Sequence, residues 1–245
     1  DVYGSLLCSL FEKKTEEAMF WAFELIYSGL EEELIAFLLL VYSLFYEKTH
    51  PIKLKTHLQK TANQWKKTRD PIHIATLVSN IVYRFAQPAD AFASIVAYPE
   101  PPTTSKRTKL FFIEYTKPYS EIYRTLVGKE DANPRAYQIL KEACLYSLKN
   151  PQWNPVLEKY TELAPYVSPR CSETKQEIMD RWVFLASNTP IWKRRIEETR
   201  GTIVAENRAV VWGSPDDQEL FYVQYGYEPD EQSAEIQLRI FGNSL

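Results

Sequence analysis

The run FWAFELIYSGLEEELIAFLLLVYSLFY, Phe20 to Tyr46, constrains this chain more than any other feature. It is the most apolar part of the sequence, yet four carboxylates, Glu24, Glu31, Glu32 and Glu33, are set into it. Its longest stretch without a charge, Leu34 to Tyr46, has 13 residues. A helix needs about 20 apolar residues to cross a hydrocarbon layer, and carboxylates in or beside that layer are costly. The run therefore reads as the inside of a soluble fold. Ser28-Gly29 breaks it into two helices, an αα-hairpin. The second carries Ile35, Leu38, Leu39, Tyr42, Phe45 and Tyr46 on one side and Phe37, Leu40, Val41 and Leu44 on the other, which predicts burial all round. The hairpin is expected to form the centre of a helical core.

A chain of 245 residues is long enough for one large or two small domains around a sizeable core. Glycine is scarce, at 7 residues, so tight turns are few and a glycine-rich phosphate loop is absent. The 16 tyrosines supply apolar bodies with a polar tip, suited to cores and interfaces. Cys8, Cys144 and Cys171 form no Cys-x-x-Cys pair, which points to a reduced, intracellular setting rather than a disulfide framework. The chain begins at Asp1 and not at a methionine, so residues ahead of it, a targeting segment included, are left open.

Beyond the hairpin, prolines punctuate the sequence. His50-Pro51 opens a helix to about Gln64, and Asp70-Pro71 is an N-cap followed by a proline at the first helical position. The stripe of this next helix is Ile74, Leu77, Val78, Ile81 and Val82. Pro88 precedes a short apolar helix ending near Tyr98. The segment YPEPPTTSKRTK, Tyr98 to Lys109, has the composition of a linker or loop. Leu110 to Tyr115 fits a short strand or a buried helical turn. Asn133-Pro134, Pro155, Ser172, Pro190, Pro215-Asp216 and Pro229-Asp230 each start a further helix. Gly201 is expected to be a C-cap glycine, and Thr202 to Trp212 has β-branched character. The reading is all-α, a multi-helix bundle of about ten helices with at most a minor strand pair. Its expected parts are an N-terminal core over 1–97, a linker or loop over 98–118 and a C-terminal helical region over 119–245, packed as one domain with the first or apart from it.

Charge is distributed unevenly. Residues 1–47 carry a net charge of −7, residues 48–109 carry +8, and residues 201–245 carry −6, so acidic ends flank a basic middle. From His50 to Arg69 there is no acidic residue, while Lys53, Lys55, Lys60, Lys66, Lys67 and Arg69 supply positive charge. Trp65 stands beside Lys66-Lys67, and Trp192 beside Lys193-Arg194-Arg195. An indole next to cations can stack on a base while the cations neutralise phosphates; equally, each tryptophan can be a helix-end plug in the core. Lys106, Arg107 and Lys109 could extend the same patch. The basic run can also dock on acidic protein surface, where complementary charge sets register and association rate.

Enzyme signatures are missing. The three histidines, His50, His57 and His73, form no zinc-ligand pattern. The sequence contains no G-x-S-x-G elbow, P-loop or dinucleotide-binding fingerprint. Cys144 falls on an apolar helical stripe, as a core residue does. Glu31-Glu32-Glu33, Asp216-Asp217 and Asp230-Glu231 stand at helix starts, where carboxylates favour the N-terminal dipole. No catalytic residue, cofactor or metal is expected.

Two resemblances add to this reading. Ala18, Phe20, Trp21, Leu25, Gly29, Ile35 and Ala36 are spaced in a way that resembles a helical hairpin in the C-terminal region of clamp-loader-like ATPases. The likeness spans about twenty residues; Phe37 to Tyr46 departs from that family's polar continuation, and its ATPase motor is absent. The segments AMFWAFELIYSGLEEE (Ala18 to Glu33) and QYGYEPDEQ (Gln224 to Gln232) are similar to uncharacterised helical proteins of large nucleocytoplasmic DNA viruses. That resemblance implies an assembly or accessory protein in a virus factory or virion. The expectation is a non-enzymatic structural or interaction protein meeting partners through its basic middle and acidic ends; the alternative is a replication-associated factor that binds nucleic acid.

Overall fold

The computed structural model describes residues 2–88, 90–93, 95–99, 111–114, 138–139, 153–167, 175–225 and 234. Nine α-helices and one two-stranded sheet are present among them, so the chain is mostly helical. The helices are α1 (Val2–Phe11), α2 (Thr15–Tyr27), α3 (Glu31–Phe45), α4 (Ile52–Thr68), α5 (Ile72–Val82), α6 (Asn154–Lys159), α7 (Lys175–Ala186), α8 (Pro190–Glu198) and α9 (Pro215–Tyr225). Strands β1 (Gly201–Val204) and β2 (Ala209–Trp212) pair antiparallel, with Gly201 opposite Trp212. None of the described helices is long and apolar enough to cross a membrane.

The expected hairpin is α2 and α3. Its turn closes as the sequence requires: Leu30 N–H donates to Leu25 O and Gly29 N–H to Ile26 O, both at 2.9 Å. This is the Schellman arrangement, whose left-handed residue is glycine, and Gly29 has φ +79°. Burial of α3 is less complete than its composition predicts. Leu34, Ile35, Phe37, Leu38, Val41, Tyr42 and Phe45 are buried, whereas Ala36 and Ser43 are exposed and Leu40 and Leu44 half-buried. The two small residues of the segment mark its outer side.

Helix α5 is enclosed on every side, buried without interruption from Ile74 to Val82. Its start follows the expected signal, since Asp70 Oδ1 accepts from Ile72 N–H at 2.9 Å. Helix α1 lies along α2 and also touches α5. Residues Gly4 to Phe11 of α1 are all buried, although no N-cap or proline announces this helix. Trp153 reaches α1 at Gly4, where a Cβ would stand 3.2 Å from the indole. In place of the helix expected between Pro88 and Tyr98 there is one 3-10 turn, Asp90–Phe92, which inserts Phe92 into the core.

Residues 153–167 belong to the same apolar cluster as α1 to α5. Tyr166 meets the rings of Tyr3 and Phe37 at 5.2 and 5.1 Å, and Tyr160 meets Phe45 at 4.9 Å. A second, smaller cluster joins α7, α8 and α9 through Trp182, Val183, Ile196 and Phe221, with Ile203, Val210 and Trp212 of the β1–β2 hairpin packed against it. The start of α8 docks on the α2–α3 turn, where Ile191 N–H donates to Ser28 O at 3.3 Å.

Gly201 is not a C-cap. The left-handed residue after α8 is Arg200, φ 61°, and Gly201 begins β1. The cause is space: a Cβ at Gly201 would lie 2.6 Å from Ile196 Cγ2 and 2.7 Å from the Trp212 ring. The ambiguous Thr202 to Trp212 segment makes up the rest of the β1–β2 hairpin. Of the helix expected after Asn133 only Gln138 and Ile139 are described, both helical, with Ile139 buried in the main cluster, and of the helix expected after Pro229 only Ala234 is described, also helical. The Tyr98–Lys109 linker from residue 100 onward lies outside the described residues, as do Cys144 and Cys171.

Residues Phe111–Glu114, expected as a strand or helical turn, form neither. They are held by side chains of α5 and of the residues just after it. Asn80 Nδ2 donates to Ile113 O at 2.7 Å, and Asn80 Oδ1 accepts from Ile113 N–H at 3.1 Å. Arg84 donates to Phe111 O.

Candidate binding face on the fourth helix

Helix α4 divides sharply into two faces. Leu54, Leu58, Thr61, Ala62 and Trp65 are buried, a spacing that keeps one side of a helix turned to the core. The exposed side carries Lys53, Thr56, Gln59, Lys60, Asn63, Gln64, Lys66 and Lys67. Ile52, 69% exposed, stands at its N-terminal end. The helix runs past the expected end at Gln64 to Thr68.

The cations of this region fall into two groups. Lys55 pairs with Glu47, and Arg69 pairs with Glu32 at 2.8 Å. Arg69 closes the helix in the left-handed region, φ 56°, and lays its guanidinium 4.2 Å from the Trp65 ring centre. Lys53, Lys60, Lys66 and Lys67 have no carboxylate partner among the described residues. Seven residues advance a helix by about 10.5 Å and nearly two full turns. Lys53, Lys60 and Lys67 therefore form a row along one stripe.

Trp65 corrects the stacking expectation. The indole is 2% exposed and takes part in the core, so it offers no face to a nucleobase. The apolar spacing Leu54, Leu58, Ala62, Trp65 carries this information in the sequence. Trp192 is half-buried against Trp182 and Phe221, with ring centres 5.5 and 6.2 Å away. Arg195 lies over it at 4.6 Å. Arg194 reaches Glu198 at 3.7 Å, and Lys193 is exposed. The Trp192–Arg195 run packs on the second cluster and the α4 face on the first. Lys106, Arg107 and Lys109 lie outside the described residues.

Two imidazoles border this region. His50 Nε2 lies 3.2 Å from Phe85 O, and burial is the main cause holding its pKa below the usual histidine value. His57 stacks on Phe112 with ring centres 4.3 Å apart, and burial depresses its pKa too. Their ordinary value is about 6.5. Below it the unfolded chain takes up protons that the native state excludes, so stability falls as pH drops through this value. The urea midpoint should decrease between about pH 7.5 and pH 5.5, and a His50→Gln/His57→Gln variant should show a smaller decrease. Equal decreases in both proteins would show that these rings do not set the dependence.

No group of three or more His, Cys, Asp or Glu side chains among the described residues is arranged to hold a metal ion. Cys8 is buried, and burial pushes its thiol pKa upward, away from a reactive thiolate. No protein-family model, curated protein or solved structure matches the chain.

Proposed function

We propose that this chain is a non-enzymatic interaction protein that holds an acidic protein partner against the lysine face of α4. The observation that carries the reading is the row Lys53, Lys60, Lys67, exposed on one stripe and free of carboxylate partners among the described residues. Loss of the Trp65 ring to the core removes the stacking component of single-strand binding. What remains is charge recognition by flexible ammonium groups, which suits an acidic helix or loop. An assembly or accessory role, the one that the viral resemblance implies, is compatible with such a surface.

Fluorescence anisotropy with a labelled polyglutamate peptide and with a short DNA duplex tests the reading. Polyglutamate should bind at low salt and weaken as salt rises. The Lys53→Glu/Lys60→Glu/Lys67→Glu variant should lose this binding while its thermal midpoint stays close to that of the unaltered protein. Undetectable binding at low salt, or equal binding by the variant, removes the proposal. Duplex binding much tighter than polyglutamate binding, with a log–log salt slope that falls by about 2.7 in the variant, would move the partner to nucleic acid.

A further inference from the structure

We infer that this chain forms a two-fold dimer in which the outer face of α3 packs antiparallel against the same face of a second copy. Between Glu33 and Glu47 the sequence holds no charged residue, yet this length of α3 is not wholly enclosed. Ala36 and Ser43 are exposed, and Leu40 and Leu44 are half-buried. The spacing 36, 40, 43, 44 places the four on one side of the helix. A helix side left to water ordinarily carries charge; this one offers three apolar side chains and a serine whose hydroxyl is turned to Glu47 Oε2 at 3.1 Å. Beside this face, between α3 and α4, lies a cavity of about 440 Å³. Its apolar lining is Ile35, Ala36, Leu39, Ala62 and Trp65, and Lys66 stands among its polar residues. The two alanines leave room there for a side chain from outside.

Charge at the two ends of the face identifies the occupant. Glu31, Glu32 and Glu33 stand at the start of α3, and of these Glu32 alone has an ion-pair partner, Arg69, among the described residues. Past the other end Glu47 is taken by Lys55, which leaves the exposed Lys48 without a carboxylate partner among the described residues. The face is thus acidic at one end, apolar in the middle and basic at the other. Such a surface complements itself when turned end for end, because a two-fold axis sets residue i against j and j against i. An axis at Leu40 puts Glu32 opposite Lys48 of the second copy, and Ala36 opposite its Leu44. That leucine enters the cavity beside Ala36 as a knob enters a hole, and symmetry repeats the fit. The small side chains of Ala36 and Ser43 let the two helix axes approach. An acidic peptide would answer Lys48 but set like charge against the start of α3. The pairing uses none of Lys53, Lys60 and Lys67, so it stands or falls apart from polyglutamate binding.

Sedimentation equilibrium of the full chain, at concentrations up to about 0.1 mM, tests the pairing. The unaltered protein should associate to a dimer. Ala36→Lys, at an exposed position beside the cavity, should be monomeric over the same range, with a thermal midpoint close to that of the unaltered protein. Ser43→Lys, exposed on the same side, decides the matter where Ala36→Lys lowers the midpoint. Lys48→Glu should weaken the dimer about tenfold, and the Lys48→Glu/Glu32→Lys double variant should recover the lost affinity, which a merely local effect at either residue would not do. A monomer at every concentration overturns the inference and leaves the face to a different protein. A dimer that neither lysine substitution on α3 weakens lies on another surface and overturns it too. A loss in Lys48→Glu that the second substitution deepens rejects the antiparallel arrangement, and the inference with it.

Discussion

Replacing Phe92 by alanine should lower stability by about 3–5 kcal/mol, the usual loss for a large aromatic side chain removed from a core. Phe92 is fully buried although it stands on a single 3-10 turn. Its ring centre is 5.0 Å from Phe11, 5.4 Å from Phe45, 5.8 Å from Tyr160 and 6.3 Å from Trp153. Those four rings come from α1, α3, the residue after α6 and the residue before it. The contacts with Phe11 and Phe45 are edge-to-face, a geometry that adds to area burial. One side chain therefore joins the N-terminal helices to residues 153–160. Urea unfolding followed by tryptophan fluorescence measures the loss. Phe92→Leu, which retains most of the apolar volume, should cost less than the alanine variant. A loss below about 1 kcal/mol for Phe92→Ala would mean that the surrounding rings collapse into the space, and that the joint does not depend on this residue.

Elements with a chemical start or stop signal were legible in the sequence. Gly29 was recognisable because a Schellman turn needs a residue at positive φ. Asp70-Pro71 was recognisable because a carboxylate cap and a proline without an N–H suit the first turn. Pro190 and Pro215 mark the starts of α8 and α9 in the same way. Helix α1 carries no such mark. Its segment VYGSLLCSLF is nearly all apolar or small, so its periodicity has no polar face against which to show. The β1–β2 hairpin was blurred for the opposite reason. Its β-branched residues are short runs, and Gly201 fits a helix stop as well as a strand start until the positions of Ile196 and Trp212 are known.

The candidate site divides along the same line. The lysine face of α4 was legible because charge periodicity is local: Lys53, Lys60 and Lys67 share a stripe in any helix. The pairing of Lys55 with Glu47 and of Arg69 with Glu32 was not, since each carboxylate comes from another part of the chain. The hold of Asn80 and Arg84 on Ile113 and Phe111 was hidden for the same reason. An asparagine within ATLVSNIV looks like a weak point in an apolar helix; its Nδ2 bonds locally to Thr76 O, but its Oδ1 is met by Ile113, 33 residues later.

The second large effect is expected at Trp65, and it separates the two faces of α4. Trp65→Ala should cost about 3–5 kcal/mol, whereas the triple lysine substitution, confined to exposed positions, should change stability by less than about 1 kcal/mol. The loss at Trp65 comes from the core contacts of the ring and not from its cation. Arg69 and Glu32 are more than half exposed, and pairs of that kind contribute at most about 1 kcal/mol. Arg69→Ala should therefore remain within about 1 kcal/mol of the unaltered protein, counting the stacked guanidinium at an exposed site. Polyglutamate binding should follow the reverse order: lost in the lysine variant, retained by Trp65→Ala below its unfolding transition. An indole that touched the partner would give a different pair of results, with Trp65→Ala nearly as stable as the unaltered protein but unable to bind. That outcome would place Trp65 on the recognition face, and the division of α4 into a core side and a charged side would have to be abandoned.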